Sequence, residues 1–154
     1  MDCHQRLRQV TALAAQLPGA TAEAVCDVAA KVQRYFSVAL PLHEQDEEFS
    51  LFPRLLKAAP ELASIVAALR ADHDALASQV ARLLELCRQV QQSPRRADAL
   101  ATALAEAARA LQEGWQHHLT AEEQHVFPAV RGALSEQARA EIRQEMRERR
   151  SRLP

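Results

Sequence analysis

The sequence of 154 residues contains little that would interrupt a helix or build a sheet. It has three glycines, and runs of β-branched residues are nearly absent, whereas alanine, leucine, arginine, glutamine and glutamate are abundant. The scarce residues are typical of turns and strands, and the abundant ones are strong helix formers. The composition therefore predicts an all-α protein. A chain of this length makes one domain and buries a core without help from disulfides.

The sequence also lacks an excess of positive charge and lacks long apolar runs. The formal net charge of -1 gives no broad basic field to attract nucleic acid or an anionic membrane surface. No apolar run approaches the ~20 residues that a membrane-spanning helix needs. There is no charged leader followed by an apolar core and a cleavage site. We therefore expect a cytoplasmic protein that has neither nucleic acid nor a membrane as its partner.

Cysteine is scarce as well. Cys3, Cys26 and Cys87 are odd in number and widely spaced, and they form no Cys-x-x-Cys sequence, which argues against a disulfide framework and against a zinc knuckle. We expect three thiols. Cys87 falls on an apolar helical stripe and is expected to be a small core residue. Cys3 stands beside His4, so a redox or metal-proximal role stays open for it.

Apolar residues recur at helical spacing in four segments that capping or helix-breaking residues separate. Thr21 is a candidate N-cap for the second segment, and Pro41 is expected to kink it. Four amphipathic helices joined by short connections predict an up-down-up-down antiparallel four-helix bundle. The predicted helices cover about residues 2–17, residue 21 to the Leu51-Phe52-Pro53 sequence, about residues 60–92, and Ser93-Pro94 to just before Phe127-Pro128.

A charged segment follows the four helices. At about residues 135–150, arginine and glutamate surround a thin apolar stripe, which predicts a short extra C-terminal helix. We expect its charges to face solvent, and we expect it to dock weakly or to fray. The predicted organisation is one domain over residues 1–154, with the bundle in residues 1–130 and the charged helix or tail in residues 131–154.

Two stretches of the chain share one pattern in the same register. Both have the sequence His-x-x-x-Glu-Glu-x-x-x-Phe-Pro, starting at His43 and at His118. Residues four apart lie on the same face of a helix, so His43 with Glu47, and His118 with Glu122, each present an imidazole and a carboxylate to one point. His73 occupies a core position of the third helix.

The inward stripes of the predicted bundle bring these groups together with one more histidine, on the first helix. Burying two carboxylates without cations would cost several kcal/mol or more for each carboxylate, and a pair of metal ions removes that cost. Imidazole with carboxylate suits iron, and also manganese or zinc, better than calcium or copper(I). Two six-coordinate ions need about twelve ligand atoms, of which the protein and one bridging oxo or hydroxo group supply about ten. The candidate metal ligands are His4, His43, Glu47, His73, His118 and Glu122.

These residues resemble the hemerythrin-like (HHE cation-binding) proteins, from residue 4 to about residue 128. His4 and His73 match the single histidines of that family, and the two His-x-x-x-Glu sequences match its paired motifs. The resemblance implies two iron ions (Fe2+/Fe3+), with a bridging oxo or hydroxo group, that bind dioxygen or react with nitric oxide or peroxide. The expected partner is therefore a small diatomic or peroxide ligand, and a protein partner stays unidentified.

Within that family the sequence is more similar to the bacterial iron-centre repair and sensing branch than to the oxygen carriers. The carriers have a second histidine one turn along the third helix, where this chain has Ala77. The resemblance thus implies a non-haem di-iron protein that binds or senses dioxygen, nitric oxide or related small oxidants. The alternative is a di-iron enzyme or an iron-donating repair factor acting on peroxide, nitric oxide or damaged iron–sulfur clusters, so enzyme activity stays open. A metal-free helical interaction domain is a third hypothesis.

Other polar residues of the repeat have weaker claims as ligands. Glu48 and Glu123 are repeated too, but they lie one residue away from the ligand face. Glu44, His117 and His125 also point away from it by helical phase. We expect these side chains at the surface or behind the ligands.

Overall fold

The computed structural model describes residues 3–152. In this range the chain is almost entirely helical and contains no β-strand, which confirms the all-α prediction. None of these helices combines the length and the apolar character that crossing a membrane would require. The α-helices are α1 (Cys3–Ala15), α2 (Ala22–Arg34), α3 (Leu40–Asp46), α4 (Phe52–Ala58), α5 (Ala63–Gln92), α6 (Ala97–Ala121), α7 (Phe127–Ala133) and α8 (Glu136–Ser151). Three π turns, which are helical turns widened to i→i+5 hydrogen bonds, join some of them: π1 (Tyr35–Ala39), π2 (Glu47–Leu51) and π3 (Glu122–Val126).

Two helix starts follow the capping rules. The Thr21 hydroxyl accepts a hydrogen bond from the Ala24 backbone N–H at 3.3 Å, which confirms the predicted N-cap of α2. The Ser135 hydroxyl caps α8 in the same way, accepting from the Ala138 N–H at 3.2 Å. The turn before α2 contains Gly19 with φ of 84°, a conformation that residues with a Cβ disfavour.

Two predicted helix ends are wrong. The second helix continues through Pro53 to the end of α4, and the fourth continues through Pro128 to the end of α7. Each proline lies in the first turn of a new α-helix, directly after a π turn. A first-turn N–H has no partner within its own helix, so proline loses nothing there. Pro41 stands in the same place after π1, so the irregularity expected at Pro41 takes the form of a π turn.

The chain divides into two compact units. Unit 1 comprises Met1–Leu40 and Ala75–Gln116, and unit 2 comprises Pro41–Asp74 and His117–Pro154. Helices α5 and α6 therefore contribute residues to both units. The expected single domain, and its division at residue 130, stay predictions.

Unit 1 has four neighbouring helical segments. Helix α1 packs against α2. Gln91 of α5 donates a hydrogen bond to the carbonyl oxygen of Cys26 in α2, and Arg109 of α6 donates one to that of Ala15 in α1, both at 2.9 Å. Short turns reverse the chain between α1 and α2 and between α5 and α6. These contacts agree with the predicted up-down-up-down antiparallel arrangement.

Helices α5 and α6 approach closely at Gly114. A Cβ added to Gly114 would lie 2.6 Å from Cδ2 of Leu76, so a residue without a side chain allows the two helices to pack at this point. The core of unit 1 is apolar and contains large side chains that are almost fully buried. Among them are Leu7, Val25, Phe36, Leu83, Leu104, Leu111 and Trp115.

All three cysteines are thiols outside any disulfide bond, as expected, and they belong to unit 1. Cys87 is fully buried, and burial raises its pKa to about 12, which confirms it as an unreactive core residue. The Sγ of Cys3 lies 2.9 Å from the hydroxyl of Tyr35, which donates a hydrogen bond to the Cys3 carbonyl oxygen at 3.1 Å. The open redox role of Cys3 stays a prediction.

Unit 2 contains an apolar cluster to which several helical segments contribute. The elements π2, α4, α5, π3 and α8 supply side chains to it, together with the turn before α8. The cluster consists of Leu51, Phe52, Leu55, Val66, Leu69, Val126, Leu134 and Ile142.

The expectation that α8 docks weakly or frays is wrong. Ile142 of α8 is 6% exposed and belongs to the apolar cluster of unit 2. Arg149 and Arg150, near the end of α8, both bond to the carboxylate of Asp46. The expectation that the charges of α8 face solvent therefore fails for Arg149 and Arg150. These two arginines offset the charge of the Asp46 carboxylate, which is 1% exposed.

Candidate metal centre

Both His-x-x-x-Glu sequences end at a π turn. His43 lies in α3 and Glu47 is the first residue of π2, while His118 lies in α6 and Glu122 is the first residue of π3. The two glutamates are 2% and 0% exposed. π turns within α-helices are frequent at functional sites. These turns were not predicted, although the Phe-Pro sequence after each of them was available as an indication.

In the first motif, one carboxylate lies between two imidazoles. Oε1 of Glu47 is 3.1 Å from Nε2 of His43, which lies one helical turn earlier, in α3. Oε2 of Glu47 is 3.4 Å from Nε2 of His73, on α5. Each oxygen of this buried carboxylate therefore faces a different ring nitrogen.

The second motif is more open. Nε2 of His118 is 3.8 Å from Oε2 of Glu122. The centroid of the His118 ring is 4.8 Å from that of His73, and the rings are tilted by 43°. Nδ1 of His118, on the other side of its ring, is 3.4 Å from a carboxylate oxygen of Asp72. A carboxylate behind a histidine fixes the ring and leaves the opposite nitrogen for a metal.

The structure brings five of the six predicted ligands together in unit 2. Glu47, His73 and His118 each offer one ligand atom, and these three atoms lie within 4.8 Å of one another. His43 and Glu122 offer a second pair of ligand atoms within the same distance of each other. The sixth predicted ligand, His4, lies on α1 in unit 1 and is 3% exposed. Its ligation stays a prediction.

Burial favours the neutral form of two imidazoles of the group, those of His73 and His118. Burial lowers the pKa of His118 to about 4, against the opposing effect of Glu122. Burial likewise lowers the pKa of His73, although Glu122 and Glu48 raise it. Neutral imidazole is the form that donates a lone pair to a metal ion. The two histidines are therefore ready to bind a metal near neutral pH.

The donor set fits metal cations. Two carboxylates and three imidazoles stand within a few ångströms of one another in unit 2, and burial leaves both carboxylates without bulk water. A cation offsets this burial of negative charge. The donors are nitrogen and oxygen atoms, with no thiolate among them, which suits iron, manganese or zinc.

The residues expected behind or away from the ligand face differ in their surroundings. His117, His125 and Glu123 are exposed, as expected. Glu48 bonds to Arg70 at 2.8 Å, and its other oxygen lies 4.0 Å from Nδ1 of His73. It therefore stands behind a candidate ligand, His73, and outside the group of candidate ligands.

Two acidic residues near the group were not anticipated in these places. Glu44 is half-buried, and burial, together with Asp74 and Glu48, raises its pKa to about 7. Asp72, which contacts His118, belongs to no motif. Its position directly before His73 was the only indication in the sequence, and an acidic residue beside a histidine is too common to be informative.

The structure has helices that carry grouped, buried histidine and glutamate side chains. This combination is typical of one class of protein, the helical cation-binding proteins. The family model of the hemerythrin HHE cation binding domain matches residues 1–130 and, in a second match, residues 79–152. The chain belongs to this family, which confirms the resemblance. A relative from Haemophilus influenzae, described as an uncharacterized protein, is 32% identical over 80 residues. The match covers 48% of this chain and 46% of that protein, so the chain spans about half the length of this relative.

Proposed function

We propose that this protein holds two iron ions and that the centre binds or senses dioxygen, nitric oxide or a related small oxidant. The observation that carries the proposal is Glu47, whose two buried oxygens face His43 and His73 at 3.1 and 3.4 Å. Family membership supports a cation at this place. The proposed ligands are the six predicted residues: His4, His43, Glu47, His73, His118 and Glu122.

The surrounding residues of unit 2 have distinct tasks in this proposal. Asp72 holds the ring of His118 through Nδ1 and so directs Nε2 toward the metal. Leu69 and Val126 lie one turn from His73 and Glu122, and both are almost fully buried, so they keep bulk water away from the ligands. Bound iron supplies a change between Fe2+ and Fe3+ and coordination positions that a small molecule can occupy.

The second candidate function is a di-iron enzyme or an iron-donating repair factor. It rests on Ala77, which follows His73 by one helical turn in α5 and offers no ligand atom. The imidazole set then stays at four. A centre with fewer imidazoles holds its iron less tightly, which favours turnover or release over reversible carriage.

Metal analysis and spectroscopy on the same sample test both functions. The protein is purified without oxygen, loaded with Fe2+, analysed for iron, and exposed to measured amounts of dioxygen or nitric oxide. Two irons per chain and an absorption change that reverses when the gas is removed support binding or sensing. Catalytic consumption of nitric oxide or peroxide, faster than that by free iron, supports the enzyme. A chain that takes up no iron, manganese or zinc contradicts both and favours a metal-free interaction domain.

The expected surroundings of the protein also remain part of the proposal. We propose a cytoplasmic location and no nucleic-acid or membrane partner, because the net charge is -1 and the described helices could not cross a bilayer. Cell fractionation with an antibody against the chain tests the location. Recovery in a membrane or secreted fraction would contradict it.

A further inference from the structure

A network of charged and polar side chains joins the C-terminal helix α8 to the turn that carries Glu47. The network lies entirely in unit 2, and we refer to it as the docking cluster. Its members come from α3, π2, α4 and α8: Asp46, Ser50, Arg54, Glu145, Arg149 and Arg150.

Asp46 is the most buried charged member of the docking cluster, at 1% exposure. Its two carboxylate oxygens accept hydrogen bonds from two different arginines of α8. Arg149 donates to Oδ1 at 2.6 Å, and Arg150 donates to Oδ2 at 2.7 Å. Charge-assisted bonds of this length are the strong class of protein hydrogen bonds. Both oxygens of this carboxylate are thus committed to α8.

A second set of bonds holds the other side of the same turn. The Ser50 hydroxyl donates to Oε2 of Glu145 at 2.5 Å, and Arg149 donates to that same hydroxyl. Arg54 donates to Oε1 of Glu145 at 2.6 Å and to the Ser50 carbonyl oxygen at 3.1 Å. Serine and the arginine one turn later are therefore tied to α8 and to each other.

The position of these contacts in the chain gives them a consequence for the metal centre. Asp46 directly precedes Glu47, and Ser50 lies within π2, so α8 holds the turn on both sides of the ligand. A π turn is a rare departure from the α-helix that occurs mostly as a single turn, frequently at a functional site. We infer that the docking cluster is a positioning device: α8 holds π2 so that the Glu47 carboxylate stays between His43 and His73, and it thereby sets how firmly the metal is retained. This inference rests on the proposed function for its second half only.

The second motif shows what the turn looks like without the cluster. In the common register of the two repeats, Ala121 stands in the place of Asp46, and His125 in that of Ser50. Ala121 packs against the apolar cluster of unit 2, and His125 is exposed. The positioning by α8 is therefore specific to the first motif.

The test uses the substitution that the second repeat already contains, Asp46→Ala, in the full-length chain. A double variant, Arg149→Gln with Arg150→Gln, removes the same bonds from the α8 side. The control is Arg143→Gln, which removes an exposed arginine of α8 that pairs with Glu136 at 2.8 Å. Asp46→Ala leaves no buried charge behind, so it keeps the test valid if the double variant does not fold.

Two readouts are measured. In the metal-free protein, amide hydrogen exchange should accelerate in residues 47–51 of Asp46→Ala and stay unchanged in residues 122–126. In the iron-loaded protein, transfer of iron to a chelator should be about tenfold faster in Asp46→Ala than in wild type or in the control, in line with the effect of residues that support metal ligands. Unchanged exchange in residues 47–51, or unchanged iron transfer, would overturn the inference.

The two failures can be told apart. A wild-type chain that takes up no metal ends the proposed function, and the exchange comparison then decides alone whether α8 holds π2. If Asp46→Ala holds iron as firmly as the wild-type chain does, the inference is wrong and the proposed function stands.

Discussion

The two His-x-x-x-Glu motifs share one sequence pattern and one kind of turn, and yet their support in unit 2 differs. Both turns contribute to the same apolar cluster, through Leu51 at the end of π2 and Val126 at the end of π3. Asp46 and Ser50, on either side of Glu47, are also bonded to α8 through charged groups. In the second motif, the residue in the place of Asp46 is Ala121, which packs against the apolar cluster. The first turn therefore has a charged network in addition to the apolar packing that both turns share.

The difference teaches that a repeated motif can keep its ligands while its support changes. The imidazole–carboxylate separation differs as well, at 3.1 Å between His43 and Glu47 and 3.8 Å between His118 and Glu122. A charged network is directional and holds a side chain in one orientation. Apolar packing is non-directional and fixes position more than orientation. The closer pair is the one whose turn the charged network holds.

The largest expected effect comes from removing the imidazole of His73, which faces Glu47 of π2, or that of His118, which faces Glu122 of π3. His73→Ala and His118→Ala should each lower the bound iron at least about tenfold, because each removes a ligand that no neighbour replaces. Iron per chain after desalting is the measurement. His117→Ala is the matched control, since His117 is exposed and directly precedes His118. Full iron content in both variants would refute the site.

The next comparison separates ligands from their neighbours in each turn. Glu47→Ala should lose more iron than Glu48→Ala, and Glu122→Ala more than Glu123→Ala, because only the first member of each pair is almost fully buried beside imidazoles. Iron analysis of the four variants, prepared in parallel, checks this. Equal losses within a pair would place the ligand one residue along the chain.

Removal of metal should affect both turns, and the second more than the first. Loss of a ligand present at a hundredfold its Kd costs roughly 2.7 kcal/mol of stability, which lowers Tm by on the order of 5–10 °C in a chain of this size. Amide exchange should rise more in residues 122–126 than in residues 47–51, because α8 still holds the first turn. Calorimetry and exchange with and without chelator measure both. Equal exchange in the two turns would contradict the distinction.

Acid should loosen the first turn selectively in the metal-free protein. The hydrogen bond from Arg54, and then that from Ser50, lowers the pKa of Glu145 below its ordinary value of 4.5. A lowered folded-state pKa stabilises the protein above pH 4.5, and the contribution is lost as the pH falls through the folded-state value. Glu145 is 36% exposed, so solvent screening keeps the effect small. Exchange protection in residues 47–51 should fall between pH 5 and pH 3 more than in Glu145→Gln, which has no carboxylate to titrate.

The smallest effect is expected at an exposed position where the two turns differ. Phe49 in π2 is 69% exposed, and Gln124 occupies the corresponding place in π3. Phe49→Gln should change the free energy of unfolding by no more than about 0.5 kcal/mol and leave the iron content unchanged, because an exposed side chain has little packing to lose. Urea unfolding measures the change. A loss above about 1 kcal/mol would show that Phe49 supports the turn.

Helical phase was sufficient to predict that each histidine of the repeat lies beside the glutamate four residues later. Residues four apart share a face of a helix, and His43 lies beside Glu47 and His118 beside Glu122. Helical phase did not predict the burial of Asp46 and Ser50. The predicted helix ends at Pro53 and Pro128 were wrong. Each of these prolines lies in the first turn of an α-helix that directly follows a π turn, so the helical segment continues through it.

The docking of α8 could not be predicted from periodicity. Its apolar stripe is thin, and two of its arginines bond to Asp46, which lies 103 residues from Arg149 along the chain. A lone aspartate beside a ligand and a distant run of arginines each resemble an ordinary solvated surface. Only their proximity in the folded chain shows that they neutralise each other.

The composition of unit 2 has a consequence for biosynthesis. The unit is assembled from two separate stretches, and the second begins at His117 and includes α8. A growing polypeptide emerges N-terminal end first, so His43, Glu47 and His73 leave the ribosome before their partners have been made. Metal loading in the proposed arrangement must therefore wait until the second stretch has been made, and any iron bound earlier would be held by an incomplete set of ligands.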